Sequence, residues 1–263
     1  MPARKSSIAV FKFSSCDGCQ LSFLNMEAEL LDLAGAVEIA YFLEASRASL
    51  PGPYDLALVE GSVTTPHEVE RIHQIRHNCS ILVALGTCAT SGGIQALRNF
   101  ADAEAYASTV YPHPEYLAYL KTATPIAEHV KVDFELWGCP VAKGQLLEIV
   151  TALINGRNPV LPPYSVCLEC KRRSAVCVMV DQGIPCLGPA TQAGCGAVCP
   201  SCGRGCYGCF GPLRTANLGS LSAILARTQR APGEAVRLLR GISGNAPAFR
   251  AAAGALIAGK EAR

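Results

Sequence analysis

The chain of 263 residues carries 14 cysteines, and their grouping is where chemistry can lie. Cys16 and Cys19 stand three apart in SSCDGCQLSF, Cys88 sits in GTCATSGG, and Cys139 sits in WGCP. Nine more fall between residues 164 and 212, and Cys79 stands apart from both groups. Four thiolates suit a tetrahedral zinc ion or an iron–sulfur cluster. Disulfides are the competing use, and they belong to oxidising compartments. MPARKSS holds two basic residues, but the apolar run after it is short and reads as a strand, so no export signal is read there. No run approaches the roughly 18 apolar residues of a membrane span. The thiols are therefore expected to be reduced, and a dense set of reduced thiols points to metal.

The elements that must carry these residues alternate. SIAVFKF, VEIAYFL (37–43), YDLALVEG (54–61), SILVALGT (80–87) and HVKVDFELWG (129–138) read as five strands. Between them, apolar residues at three- and four-residue spacing predict helices over 19–34, 67–78, near 92–100 and over 143–157. This alternation predicts an α/β fold with an open, mostly parallel sheet. In such a sheet, ligands bind beyond the carboxyl ends of the strands. Cys16 follows strand one, Cys88 strand four and Cys139 strand five, with Cys19 one helical turn past Cys16. Four thiols far apart in sequence are thus expected on one edge of the sheet. Cys79 precedes strand four, at the opposite edge, and reads as a buried structural cysteine.

The composition changes after Leu161-Pro162-Pro163. This divides the chain into a sheet domain, 1–160, and a second domain, 161–263. The stretch 164–212 is rich in Gly and Pro and has little periodicity, so no hydrophobic core can be written for it. It needs an inorganic core or staples. Cys167, Cys170, Cys177 and Cys186 form one candidate set of four; Cys195, Cys199, Cys206 and Cys209 form another. Cys202 is an alternative to Cys199, which is preferred because Pro200 follows it directly. Gly flanks almost every candidate, and Gly lets backbone N–H groups approach the sulfurs of a bulky anionic cluster. Zinc ribbons remain the competing reading of this region. Short helices are expected around 219–227, 234–241 and 247–258. The formal charge of +2 is near neutral, which argues against a nucleic-acid or membrane-surface partner.

Taken together, SCDGCQLSFL, GTCATSGG, WGCP and the long CLECKRRSAVC…PCLGPATQAGCGAVCP…CYGCFGP segment resemble the small, electron-transfer subunit of cytoplasmic nickel–iron hydrogenases. The resemblance spans residues 8 to about 212, and AGAVEIAYFLEASRA is similar to the bacterial NAD(P)-linked, sulfhydrogenase-like branch. It implies a flavodoxin-like first domain holding a proximal 4Fe-4S cluster on Cys16, Cys19, Cys88 and Cys139, facing the nickel–iron centre of a separate large subunit. It implies a medial 4Fe-4S cluster on Cys195, Cys199, Cys206 and Cys209, and a distal one on Cys167, Cys170, Cys177 and Cys186. No flavin is expected on this chain, because SSCDGCQ lacks a phosphate-binding loop. Flavin and NAD(P) would sit on partner subunits. The expected role is that of an oxidoreductase subunit in the cytoplasm, which makes and breaks no substrate bonds itself. The cluster-bearing subunit of a respiratory NADH dehydrogenase or of a membrane-bound hydrogenase is a weaker match, because such chains usually carry an adjacent Cys-Cys pair or lack the second Cys-rich region. Two further alternatives are a deazaflavin or heterodisulfide-reductase acceptor, and a zinc-stapled docking protein.

A few other residues invite interpretation. Glu60 ends strand three beside the expected cluster edge. It reads either as a contact or proton-moving group for the large subunit, or as a carboxylate fixing the next loop. His67 and His113 read as surface or capping groups, and Trp137 as core beside Cys139. Lys171-Arg172-Arg173 reads as a basic run that offsets cluster charge or guides an acidic partner, or as a plain solvated face.

Overall fold

A computed structural model describes residues 4–228 and 231–261. The chain divides into two compact units, the first ending at Leu161 and the second beginning at Pro162.

The first unit is a five-stranded sheet in the order β2-β1-β3-β4-β5, with every neighbouring pair parallel. In chain order its elements are β1 (Ser7–Lys12), α1 (Gly18–Leu24), α2 (Ala28–Ala36), β2 (Glu38–Phe42), β3 (Tyr54–Glu60), α3 (Pro66–His77), β4 (Cys79–Leu85), α4 (Gly86–Ser91), α5 (Ala103–Val110), β5 (Phe134–Leu136) and α6 (Lys143–Ile154). This is the flavodoxin-like strand order, with the direction of winding reversing between β1 and β3. The strands are apolar on both faces, as a sheet covered on both sides requires. Ile8, Val10, Leu56, Leu58, Val83 and Leu85 face Phe23, Met26, Leu146, Ile149 and Val150. The alternate residues Ala9, Phe11, Ala57, Val59, Leu82 and Ala84 pack with Ile72 and Ile75 of α3. Thr65 starts α3 with a capping box to Glu68.

Several local expectations are corrected. The helix expected over 19–34 breaks into α1 and α2, with Glu27 at φ 46 in the left-handed region. The strand expected over 129–138 is only three residues long. The Asp133 carboxylate takes the place of a ladder partner there: it accepts from Leu82 N at 2.8 Å and Arg76 Nη1 at 2.6 Å. GTCATS, which reads as a turn, is the short helix α4. Gly86 at φ 83 lets the chain pass from β4 straight into it. The helix expected near 92–100 is a 3-10 helix over Ile94–Phe100. α5, which the sequence did not announce, is capped by Asp102.

The second unit contains α7 (Val166–Arg172), α8 (Val178–Asp181), α9 (Val198–Ser201), α10 (Leu218–Thr228), α11 (Glu234–Leu239) and α12 (Pro247–Glu261). Contrary to expectation, the Cys-rich stretch does own a small core. Val166, Val178 and Ala197 pack with the thiols of Cys186 and Cys206, so two candidate ligands are themselves core residues. A second cluster, built from Leu221, Leu225, Leu239, Phe249 and Ala253, also takes in Leu187 and Ala190, which follow Cys186. The helical tail therefore braces the loop that follows Cys186.

Candidate metal centres

The carboxyl ends of three strands carry the first group of thiols. Cys16 lies four residues beyond β1, Cys19 is in the first turn of α1, Cys88 is in α4 directly after β4, and Cys139 lies three residues beyond β5. Their sulfurs are close enough to oppose one another's ionisation: Cys19 feels Cys88 and Cys139, and Cys88 and Cys139 both feel Cys16. Hydrogen bonds lash the loops together. Thr87 N donates to Gly138 O at 2.9 Å, and Gly138 N to Thr87 Oγ1 at 3.3 Å, joining the Cys88 and Cys139 segments. Gln95 Nε2 donates to Ser14 O at 2.7 Å, joining the β1 and β4 loops.

Glu60 sits behind this group, 2% exposed. Its Oε1 accepts from Cys19 N at 3.0 Å and so caps α1, which carries the candidate ligand Cys19, from strand β3. Burial raises its carboxyl above the usual range, against the lowering effect of the Cys19 N–H. This geometry favours the loop-fixing role over a surface contact. Trp137, expected in the core, is only half-buried, and its Nε1 donates to Glu135 Oε2 at 3.2 Å. His67 and His113 are exposed, and His113 pairs with Glu115.

Burial pushes the Cys88 thiol up to about 11 and raises Cys19 and Cys139 as well. Cys19, Cys88 and Cys139 do not favour the thiolate by themselves, because burial penalises the charged form and neighbouring anions repel. A cationic metal centre held by Cys16, Cys19, Cys88 and Cys139 would supply the missing compensation, and its binding would release the protons. The glycines test whether the space suits one. A Cβ on Gly86 would collide with Cys19 Sγ, and one on Gly93 would lie 2.5 Å from Cys88 Sγ. A Cβ on Gly18 would come within 3.4 Å of Cys16 Sγ. Bare backbone thus lies against three of the four sulfurs, the cradle a thiolate-bound cluster needs.

In the second unit, Cys167, Cys170, Cys177 and Cys186 line one largely apolar cavity of about 150 Å³. At about 30 Å³ per water this is room for a group of several atoms. Among the described residues, no three His, Cys, Asp or Glu side chains close on a point that would hold a single ion. Burial raises Cys167 and Cys186, and pushes Cys170 up to about 11. Gly188 N and Cys206 N donate to Cys186 Sγ at 3.4 and 3.2 Å, and Gly208 N to Cys206 Sγ at 3.4 Å. Donation to sulfur is a known lever on cluster potential. Cys195 and Cys199 neighbour each other, as do Cys206 and Cys209. Cys202 is exposed at the end of α9. Lys171, Arg172 and Arg173 are all exposed, with Arg172 over the Tyr164 ring at 5.0 Å.

Cys79 is the first residue of β4, 8% exposed, at the end of the sheet away from the four thiols. Cys79→Ala is expected to cost roughly 1 kcal/mol, the common size of a single-site effect, and to leave bound iron unchanged. Thermal unfolding and iron analysis check this together; loss of iron would make Cys79 a ligand. Two polar residues that organise these sites, Gln95 and Glu169, escaped the sequence reading. For Glu169, the signal was its place between two candidate ligands, Cys167 and Cys170.

A parallel flavodoxin-like sheet with thiols gathered at its carboxyl edge, followed by a Cys-rich unit, defines a protein built to hold thiolate-bound metal. Residues 16–153 match the family described as NADH ubiquinone oxidoreductase, 20 Kd subunit. The chain is 38% identical over 218 residues to Sulfhydrogenase 2 subunit delta of Pyrococcus furiosus, covering 83% of this chain and 91% of that one. It is 34% identical to a vhu-type F420-non-reducing hydrogenase chain of Methanocaldococcus jannaschii, covering 82% and 85%. It is 32% identical to NAD-reducing hydrogenase HoxS subunit delta of Cupriavidus necator, covering 60% and 83%. Among solved structures, a chain of the NAD+-reducing nickel–iron hydrogenase in its H2-reduced state superposes with a TM-score of 0.56 at 33% identity, covering 60% of this chain and 96% of that one. A chain of the Dm. baculatum nickel–iron–selenium hydrogenase, at 18% identity and a TM-score of 0.56, shares the fold over 81% of this chain. The chain belongs to the 20 Kd subunit family and, within it, to the small, electron-transfer subunits of nickel–iron hydrogenases. That membership implies iron–sulfur clusters here and a nickel–iron centre in a partner large subunit. Among the described residues no helix is long and apolar enough to cross a membrane.

Proposed function

We propose that this chain relays electrons between the nickel–iron site of a large subunit and an acceptor module through three 4Fe-4S clusters. The observation that carries the reading is the gathering of Cys16, Cys19, Cys88 and Cys139 from separate segments, with side-chain-free backbone against their sulfurs. These four hold the proximal cluster. Cys16 and Cys139 are exposed, so this edge is the face toward the large subunit. Cys167, Cys170, Cys177 and Cys186 hold the distal cluster, which their shared cavity supports. Cys195, Cys199, Cys206 and Cys209 hold the medial one. Domains of residues 1–160 and 161–263 divide the work accordingly.

When bound, such clusters accept and release one electron at a time. The protein's part is to hold each set rigidly, exclude water and donate N–H groups to sulfur. Cys19, Cys186 and Cys206 are buried and anchor their sets. The acceptor proposed is NAD(P), reached through flavin- and iron–sulfur-bearing subunits in the cytoplasm. A second acceptor reading has support of its own. The NAD-reducing relative matches only 60% of this chain, whereas the F420-non-reducing one matches 82%. The name of that second relative excludes the deazaflavin F420 as its acceptor, so of the two alternatives it favours a heterodisulfide-reductase system over a deazaflavin.

Anaerobic purification with native partners, followed by iron, sulfide, zinc and nickel analysis, tests this. About 12 iron and 12 sulfide per chain are expected, three clusters of four, with nickel in a larger chain. Zinc without sulfide would leave a zinc-stapled docking protein. Hydrogen-dependent reduction of NAD+ and NADP+ by the same complex decides the acceptor. Cys199→Ser is expected to remove one cluster and Cys202→Ser none; the reverse result would exchange them as ligands.

A further inference from the structure

Glu169 lies in α7 between two ligands of the distal set, yet its carboxylate turns to the other set. Oε1 accepts from Gly194 N at 2.9 Å and Oε2 from Ala197 N at 3.2 Å. Oε2 also lies 3.9 Å from Cys195 Sγ. The loop it grips is built for this contact. Gly194, Gly196 and Ala197 all have positive φ, at 148, 67 and 54, and in this turn the N–H groups of Gly194 and Ala197 both point at the carboxylate. The same loop also meets Arg173, one helical turn after Glu169. Its Nη2 lies 3.2 Å from where a Gly196 side chain would begin.

We propose that Glu169 is a positioning residue that joins the two ligand sets of the second unit. It fastens the 194–197 loop to α7, and its negative charge beside Cys195 holds the medial cluster at a lower potential. The inference rests on the reading that Cys195 and its partners hold a cluster. Cys195 as a metal-bound thiolate has no proton to share, so two negative charges then stand 3.9 Å apart. Adding an electron to the cluster raises its negative charge further, so the carboxylate opposes reduction. Backbone N–H donation to the same carboxylate fixes it where it does so. Arg173, exposed and beside Gly196, offsets only part of the effect.

The test is a potentiometric titration of each cluster by electron paramagnetic resonance in the purified complex, with the signals assigned by Cys195→Ser and Cys177→Ser. In Glu169→Gln the charge goes and the size stays. At the wild-type medial midpoint, the reduced-to-oxidised ratio is expected to rise about tenfold, a shift of about 59 mV for one electron. The proximal signal should not move. An unchanged medial midpoint with iron retained overturns the proposal. If Glu169→Gln loses the medial signal, Glu169→Asp decides: a signal restored at low potential supports the role of charge, and one not restored overturns it. If neither Cys195→Ser nor Cys177→Ser removes a signal, the underlying cluster reading fails instead, which is a separate result.

Discussion

Cys16→Ser is expected to strip the proximal centre and stop hydrogen-dependent dye reduction in an assembled complex. Iron should fall from about 12 to about 8 per chain, the loss of one four-iron cluster. The reasoning is geometric. Of the four thiols proposed to hold the centre, Cys16 lies in the open loop between β1 and α1, and it is exposed. The loop is held by other contacts: Ser14 N donates to Ser62 O at 3.2 Å, and Lys12 pairs with Asp17 at 2.6 Å. A serine there should leave the fold intact, so the loss reads out ligation and not unfolding. Serine keeps the shape but offers a hydroxyl that does not ionise near neutral pH and lacks the softness of thiolate. Full dye reduction by this variant, with all its iron, would remove Cys16 from the site. Thermal unfolding close to wild type is the required control.

Gly86→Ala is expected to be nearly as damaging, although it removes no ligand. Residue 86 has φ 83, a conformation costing a residue with a Cβ about 1–2 kcal/mol. Its added methyl would run into Cys19 Sγ and lie 3.3 Å from Gly138 O. Cys19 cannot step aside easily, because it is buried and its N–H is held by Glu60. The collision thus falls on two ligand-bearing segments at once. Changes in the shell around a metal commonly cost about 10–100-fold in affinity or activity, and that range is expected here. The melting temperature should fall by about 2–4 °C per kcal/mol for a unit of this size. Gly144→Ala makes the same chemical change in α6, where an added methyl meets nothing within 4 Å. It is expected to be neutral or to stabilise by up to about 1 kcal/mol. If both variants lose iron alike, the cradle argument is wrong.

Much of the first unit was legible because a doubly covered parallel sheet writes itself as apolar runs. SIAVFK, YDLALVE and CSILVAL are strands β1, β3 and β4 for that reason. The boundaries that failed are those where one side chain or one torsion decides. β5 is short because Asp133 replaces a ladder partner, and the break between α1 and α2 centres on the torsion of Glu27. Neither leaves a periodic trace. Trp137 was misjudged because a large aromatic is read as core by type, while its place directly after a three-residue strand leaves it half-buried.

What the sequence by itself determined is the kind of chemistry: many thiols flanked by glycine, four of them just past the carboxyl ends of apolar strands. Residue type and strand order suffice for that, because a parallel sheet brings all its carboxyl ends to one edge. What only the tertiary structure decided is how those thiols are held. Glu60 reaches from β3 to the Cys19 N–H, the missing side chain of Gly86 leaves room for Cys19 Sγ, and Glu169 turns from one ligand set to the next. Each joins residues at least 25 positions apart in the chain. Such contacts depend on backbone direction and on which atom ends up beside which. Spacing along a chain does not encode that until the chain is folded.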